Sequence, residues 1–96
     1  MKANEILEAV AATITQRGAE NGYDKKEERS AAEVARLFNE KAGGPCLDES
    51  DIWEVLRCLK EVRLNAQLAN GSDPTDTLID LIGYTVLLAE CLTEKK

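Results

Sequence analysis

In the last third of the chain, Asp76, Asp80 and Tyr84 recur every fourth residue inside the run TDTLIDLIGYTVLLAECL. Four-residue spacing stacks side chains on one face of an α-helix, so two carboxylates and a phenol share a stripe on a segment that is otherwise apolar nearly all round. A helix of that kind belongs at the centre of its domain. A carboxylate carried there requires a cation, a hydrogen-bond donor or a metal, because an unpaired buried charge is too costly to keep. The preceding helical stretch supplies two candidate cations, Lys60 and Arg63.

The rest of the chain reads as three more helices. The first runs from about Ala3 to Gln16, with Ile6, Leu7, Val10 and Ile14 as its apolar stripe, and Arg17-Gly18 as its stop. A charged connection, NGYDKKEER, follows, in which Tyr23 is the one large apolar group, flanked by Arg17 and Arg29. The second helix starts between Lys26 and Ser30 and presents Ala31, Val34, Ala35, Leu37 and Phe38, before Gly43-Gly44-Pro45 breaks it. In the third, Asp48 or Ser50 serves as N-cap and Ile52, Val55, Leu56, Leu59, Val62 and Leu68 form the expected core face to about Ala69. Asn70-Gly71-Ser72 closes it, and Asp73-Pro74 opens the last. Short connections between long helices favour antiparallel neighbours, and no β-period is present. The expected fold is therefore all-α, a compact bundle of four helices forming one domain over residues 1–96.

Ninety-six residues lie near the lower end of what buries a self-sufficient core, so a homo-oligomer is expected. The net charge of −6 argues against nonspecific binding to nucleic acid or to an anionic membrane, both of which want a contiguous basic surface. No apolar run reaches the roughly 18–20 residues that span a bilayer, which points to a soluble, unsecreted protein. The absence of histidine removes imidazole chemistry and His metal ligands. Cys46, Cys58 and Cys91 have no zinc-type spacing; Cys58 and Cys91 read as small core residues and Cys46 as a loop thiol. Trp53 reads as an interface anchor, and Asn39 as a side chain that satisfies backbone groups.

The motifs carry a resemblance. Arg17 and Tyr23 after the first helix, Phe38-Asn39 near the end of the second, DxxxxLxxLKxxRL over Asp51–Leu64 and DxxxDxxGYxxLxxE over Asp76–Glu90 resemble a family of small phage and prophage proteins of unassigned function. That resemblance implies the cytoplasm of a bacterial host cell and an accessory role toward a host protein. More distantly, the last two helices are similar to the all-α nucleoside triphosphate pyrophosphatases of the MazG type. In those, EExxE on one helix and ExxD on the next hold Mg2+ against a nucleotide's phosphates. Here LRCLKEVRL offers Glu61 as its only acid, beside Lys60 and Arg63, and the second motif is replaced by Asp76 and Asp80. Magnesium seldom tolerates an ammonium or guanidinium at its own distance, so Lys60 and Arg63 take the metal's electrostatic place.

Three readings of the cluster follow. In the first, Lys60, Arg63, Asp80 and Tyr84 form an ion-pair network that fixes helix register. In the second, Arg17, Arg29, Lys60 and Arg63 contact the phosphates of a nucleotide-like anion, Tyr23 or Tyr84 stacks on its base, and Asp76 and Asp80 border the site. In the third, Glu54, Glu61, Asp76 and Asp80 hold Mg2+ for pyrophosphate release. The expected function is a non-enzymatic binding protein without a cofactor, taking either a nucleotide-like small molecule or a host protein, with the Mg2+-dependent pyrophosphatase as the alternative.

Overall fold

The computed structural model describes residues 1–20, 30–44 and 47–94; of residues 17–20 and 30 it describes the backbone alone. These form four helices, α1 (Ala3–Glu20), α2 (Ser30–Ala42), α3 (Glu49–Asn70) and α4 (Thr75–Glu94), with no strand among the described residues. The sequence-based boundaries hold within a residue or two at α3 and α4. At α1 they do not, because the helix passes through Gly18 and ends at Glu20. A glycine inside a helix costs only about 1 kcal/mol relative to alanine, which is too little to stop it alone.

Local chemistry fixes the other ends. Asp48 is the N-cap of α3 and accepts from the Asp51 backbone N–H, while the Asp51 carboxylate accepts from the Asp48 N–H at 2.9 Å, so two orphan donors are satisfied reciprocally. Gly71 ends α3 in the left-handed region at φ 78°, and the Ser72 N–H donates back to the Gln67 carbonyl at 3.0 Å. Before α4, the Asp73 carboxylate accepts from the Thr75 hydroxyl at 2.6 Å and from the Thr75 N–H at 3.0 Å. Those two bonds hold the Asp73 carboxyl below its usual range. The connection from α2 to α3 is pinned by Asn39, whose amide donates to the Leu47 carbonyl at 2.8 Å and accepts from the Leu47 N–H at 2.7 Å. Asn39 thus satisfies backbone groups, as its position suggests.

The packing order is α2, α3, α4, α1: α3 packs against both α2 and α4, and α1 packs against α4. The core lies where the first three meet, around Ala31, Ala35, Ile52, Trp53 and Leu87, with Ile14, Leu56, Tyr84 and Leu88 packed at its edge. It is thin. Among the described residues, the buried apolar side chains are Val10 and these five, while twelve large apolar side chains are exposed. The radius of gyration, 14.6 Å, exceeds the roughly 12.5 Å expected of a well-packed domain of this length. The helices form a bundle, but an open one.

Three expectations about the core change. Of the apolar residues assigned to the core face of α3, Ile52 is buried and Leu56 half-buried, whereas Val55, Leu59, Val62 and Leu68 face solvent. The eight large apolar side chains of α3 cover more of its circumference than two neighbouring helices can occupy. Trp53, read as an interface anchor, is instead 1% exposed at the centre of the core. Cys58 is exposed and Cys91 half-buried, so the core role expected of Cys58 does not hold; Cys46 lies outside the described residues.

Gly83, in the DxxGY motif, is buried against α1, yet a Cβ built there meets Ile14 at 3.9 Å and Val10 at 4.0 Å, which is ordinary contact. Sterics therefore do not require glycine. Gly83→Ala is expected to stabilise the protein by about 1 kcal/mol through helix propensity, raising Tm by about 4–8 °C. A lowered Tm would show that α1 sits closer to α4 than these distances allow.

Candidate functional site

The motif residues of α3 and α4 meet along the line where the two helices pack. Trp53 and Lys60 lie seven residues apart, hence on one face of α3, and Asp80 and Tyr84 lie four apart on one face of α4. As numbers rise along α3 they fall along α4, so the antiparallel helices match these residues as successive rungs. Trp53 stacks on Tyr84 with ring centroids 5.8 Å apart and planes inclined by 28°. Lys60 Nζ donates to Asp80 Oδ2 at 2.9 Å, with the two side chains 11% and 13% exposed. Beside them, Arg57 Nε donates to the Thr85 hydroxyl at 2.9 Å, and the same guanidinium pairs with Glu54. The carboxylate on the central helix is thus met by a protein cation.

The other candidates separate from this pair. Arg63 is exposed and forms no ion pair among the described residues. Asp76 is exposed at the start of α4. Tyr23 and Arg29, and the side chain of Arg17, lie outside the described residues. Lys60, Asp80 and Tyr84 are therefore brought together; Arg63 and Asp76 are not.

Beside Asp80 and Tyr84 is a small cavity, closed by Thr13, Ile14, Gly83 and Leu87, of about 10 Å³. That is room for one water, whereas sites for nucleotide-sized ligands run to about 300 Å³ or more. Gln67 Oε1, further along α3, is buried with no hydrogen-bond partner among the described residues. The four acids considered for Mg2+ do not converge: Glu54 pairs with Arg57, Asp80 binds Lys60, and Glu61 and Asp76 face solvent. Among the described residues, no three side chains of a type that ligates metals come together.

What sequence reasoning missed lies elsewhere on the surface. A groove between α1 and α4 is lined by Leu7, Val10, Ala11, Ile14, Val86 and Glu90, with space for about 330 Å³. The outer side of α3 carries Val55, Leu59 and Val62. The signal for the second was present, because Val55, Leu59, Val62, Ala66 and Ala69 alternate steps of four and three, a heptad stripe displaced from the Trp53–Lys60 face. No described helix is long and apolar enough to cross a membrane. Comparison with protein-family models, with curated proteins and with solved structures gives no match.

Proposed function

We propose that this chain is a non-enzymatic interaction module that binds a protein partner through the apolar groove between α1 and α4. The observation that supports this reading is how the two kinds of surface divide. Of the charged motif residues, Lys60 of α3 and Asp80 of α4 engage one another, while large apolar side chains stand open to solvent. Lys60, one of the cations an anionic ligand would use, donates to Asp80 at 2.9 Å. The groove, by contrast, offers Leu7, Val10 and Ile14 along two turns of α1 and Val86 on one turn of α4, a shape that takes the apolar face of a partner helix. The net charge of −6 favours a partner segment with basic residues beside its apolar ones. The resemblance to small phage and prophage proteins of unassigned function supplies no more than context.

Two measurements test this. In a thermal-shift panel of nucleoside mono-, di- and triphosphates with and without Mg2+, no stabilisation is expected. A real ligand at a hundred times its Kd would contribute about 2.7 kcal/mol and raise Tm by about 10–20 °C, which would replace this reading with the nucleotide pocket. In the second, a photo-crosslinking residue at Leu7 is expected to capture one protein partner from cells, and Val86→Glu is expected to abolish the capture while leaving helix content unchanged. Capture that persists in Val86→Glu would move the partner off this groove.

A further inference from the structure

The outer face of the α2–α3 hairpin is a second apolar surface, separate from the α1–α4 groove. On α3, Val55 is 60% and Val62 66% exposed, with Leu59 exposed between them. They continue through Ala66 and Ala69 as a heptad stripe on nearly the opposite side of α3 from Trp53, Lys60 and Leu64. α2 packs on the intervening Ile52–Leu56 side. Because Asn39, near the end of α2, is tied to Leu47 at the entry to α3, the two helices run antiparallel. That orientation turns the flank of α2 carrying Val34 and Phe38, both exposed, toward the stripe. The opposite flank of α2 is charged, where Arg36 pairs with Glu33 and Glu40 at 3.1 Å. The hairpin thus has one polar and one apolar outer side.

From this we infer that a second copy of the same chain covers the apolar side, with α3 pairing antiparallel against its own image about a two-fold axis near Leu59 and Val62. Three features select a second copy over other occupants. The exposed parts of these side chains sum to on the order of 500 Å², near the upper limit of what a monomer leaves open and, with their polar surround, close to the half-interface of a standard dimer. A heptad stripe of Val, Leu and Ala is self-complementary, and pairing about that axis sets the small Ala66 opposite the branched Val55 of the second copy. The first turn of α3 is acidic, with Glu49 and Asp51. Antiparallel pairing keeps the two acidic turns apart and opposes the helix dipoles. Parallel pairing would set acids against acids. A two-fold dimer also explains the thin core, because each copy supplies the helices that the other lacks on this side.

The test is the mass in solution. Sedimentation velocity of the full chain at micromolar concentration is expected to give about 21 kDa, twice the 10.5 kDa chain. Val62→Glu places two carboxylates in the seam and is expected to weaken dimerisation by about 100-fold or more, giving a monomer with unchanged helix content. Leu92→Glu, at a site 53% exposed on α4, is expected to leave the dimer intact, as is Val86→Glu in the partner groove. A monomeric parent protein overturns the inference. So does a dimer that survives both Val62→Glu and Leu59→Glu, or one that Leu92→Glu dissociates equally.

Discussion

Trp53→Ala is expected to leave the protein mostly unfolded at 37 °C. Among the described residues Trp53 is the one large side chain that is fully buried, and its neighbours Ala31 and Ala35 are too small to close the space it would vacate. Truncating a buried tryptophan costs about 3–5 kcal/mol, the transfer free energy of the ring plus that of the cavity left behind. The same change removes the stacking on Tyr84, worth about 1 kcal/mol in such pairs. A domain of this size has about 5–15 kcal/mol in total, and a core this thin places it toward the bottom of that range. Trp53→Phe keeps a ring against Tyr84 and is expected to cost less than half as much. Urea unfolding followed by far-UV circular dichroism reads both variants. As the sole tryptophan, Trp53 also reports on the parent protein, whose emission is expected to move to longer wavelength as the core opens. A Trp53→Ala variant within about 0.5 kcal/mol of the parent would place the indole at the surface, the range of ordinary surface substitutions.

The contrast between Trp53 and Val62 shows what periodicity can and cannot settle. The ends of α3 and the start of α4 were legible because they depend on neighbours in sequence: Asp48, one of two N-cap candidates, sits three before Asp51, Gly71 follows the last apolar turn, and Asp73 precedes Thr75, whereas the end of α1 at Glu20 was misplaced to Gly18. The pairing of Lys60 with Asp80 was legible because an apolar helix that carries a carboxylate needs a cation, and the adjoining helix held only a few. Which apolar side of α3 would be covered was not legible. α3 has apolar residues on two sides, one through Ile52, Trp53 and Leu56, the other through Val55, Leu59 and Val62. A one-sided amphipathic helix announces its buried face, but a two-sided one offers equal claims, and the choice depends on where α2 and α4 dock. The same ambiguity misplaced Cys58, which lies next to the stripe and shares its exposure. Arg63, one turn along α3 from Lys60, is exposed, and Lys60 alone of the two meets Asp80.

Asp80→Leu is expected to destabilise the protein by about 3 kcal/mol, lowering Tm by about 12–24 °C, and adding Lys60→Met to it is expected to restore half or more of that loss. The reasoning rests on the asymmetry of buried ion pairs. Formed, such a pair gains little net stability, because desolvating both ions offsets their attraction. Half removed, it leaves a charge with neither water nor partner. Lys60 is 11% exposed, so without the Asp80 carboxylate its ammonium must distort the α3–α4 packing to reach solvent or give up its proton. Methionine fills nearly the same space as the lysine stem without the charge, which is why the double variant is expected to recover. Thermal unfolding of the parent, both single variants and the double variant gives the coupling between the two residues directly. A ligand site behaves in the opposite way, since residues held ready for an anion are under strain from one another and their removal tends to stabilise the free protein. An Asp80→Leu variant as stable as the parent, with no coupling to Lys60→Met, would therefore release Lys60 from a structural role and return the cluster to the anion-binding reading.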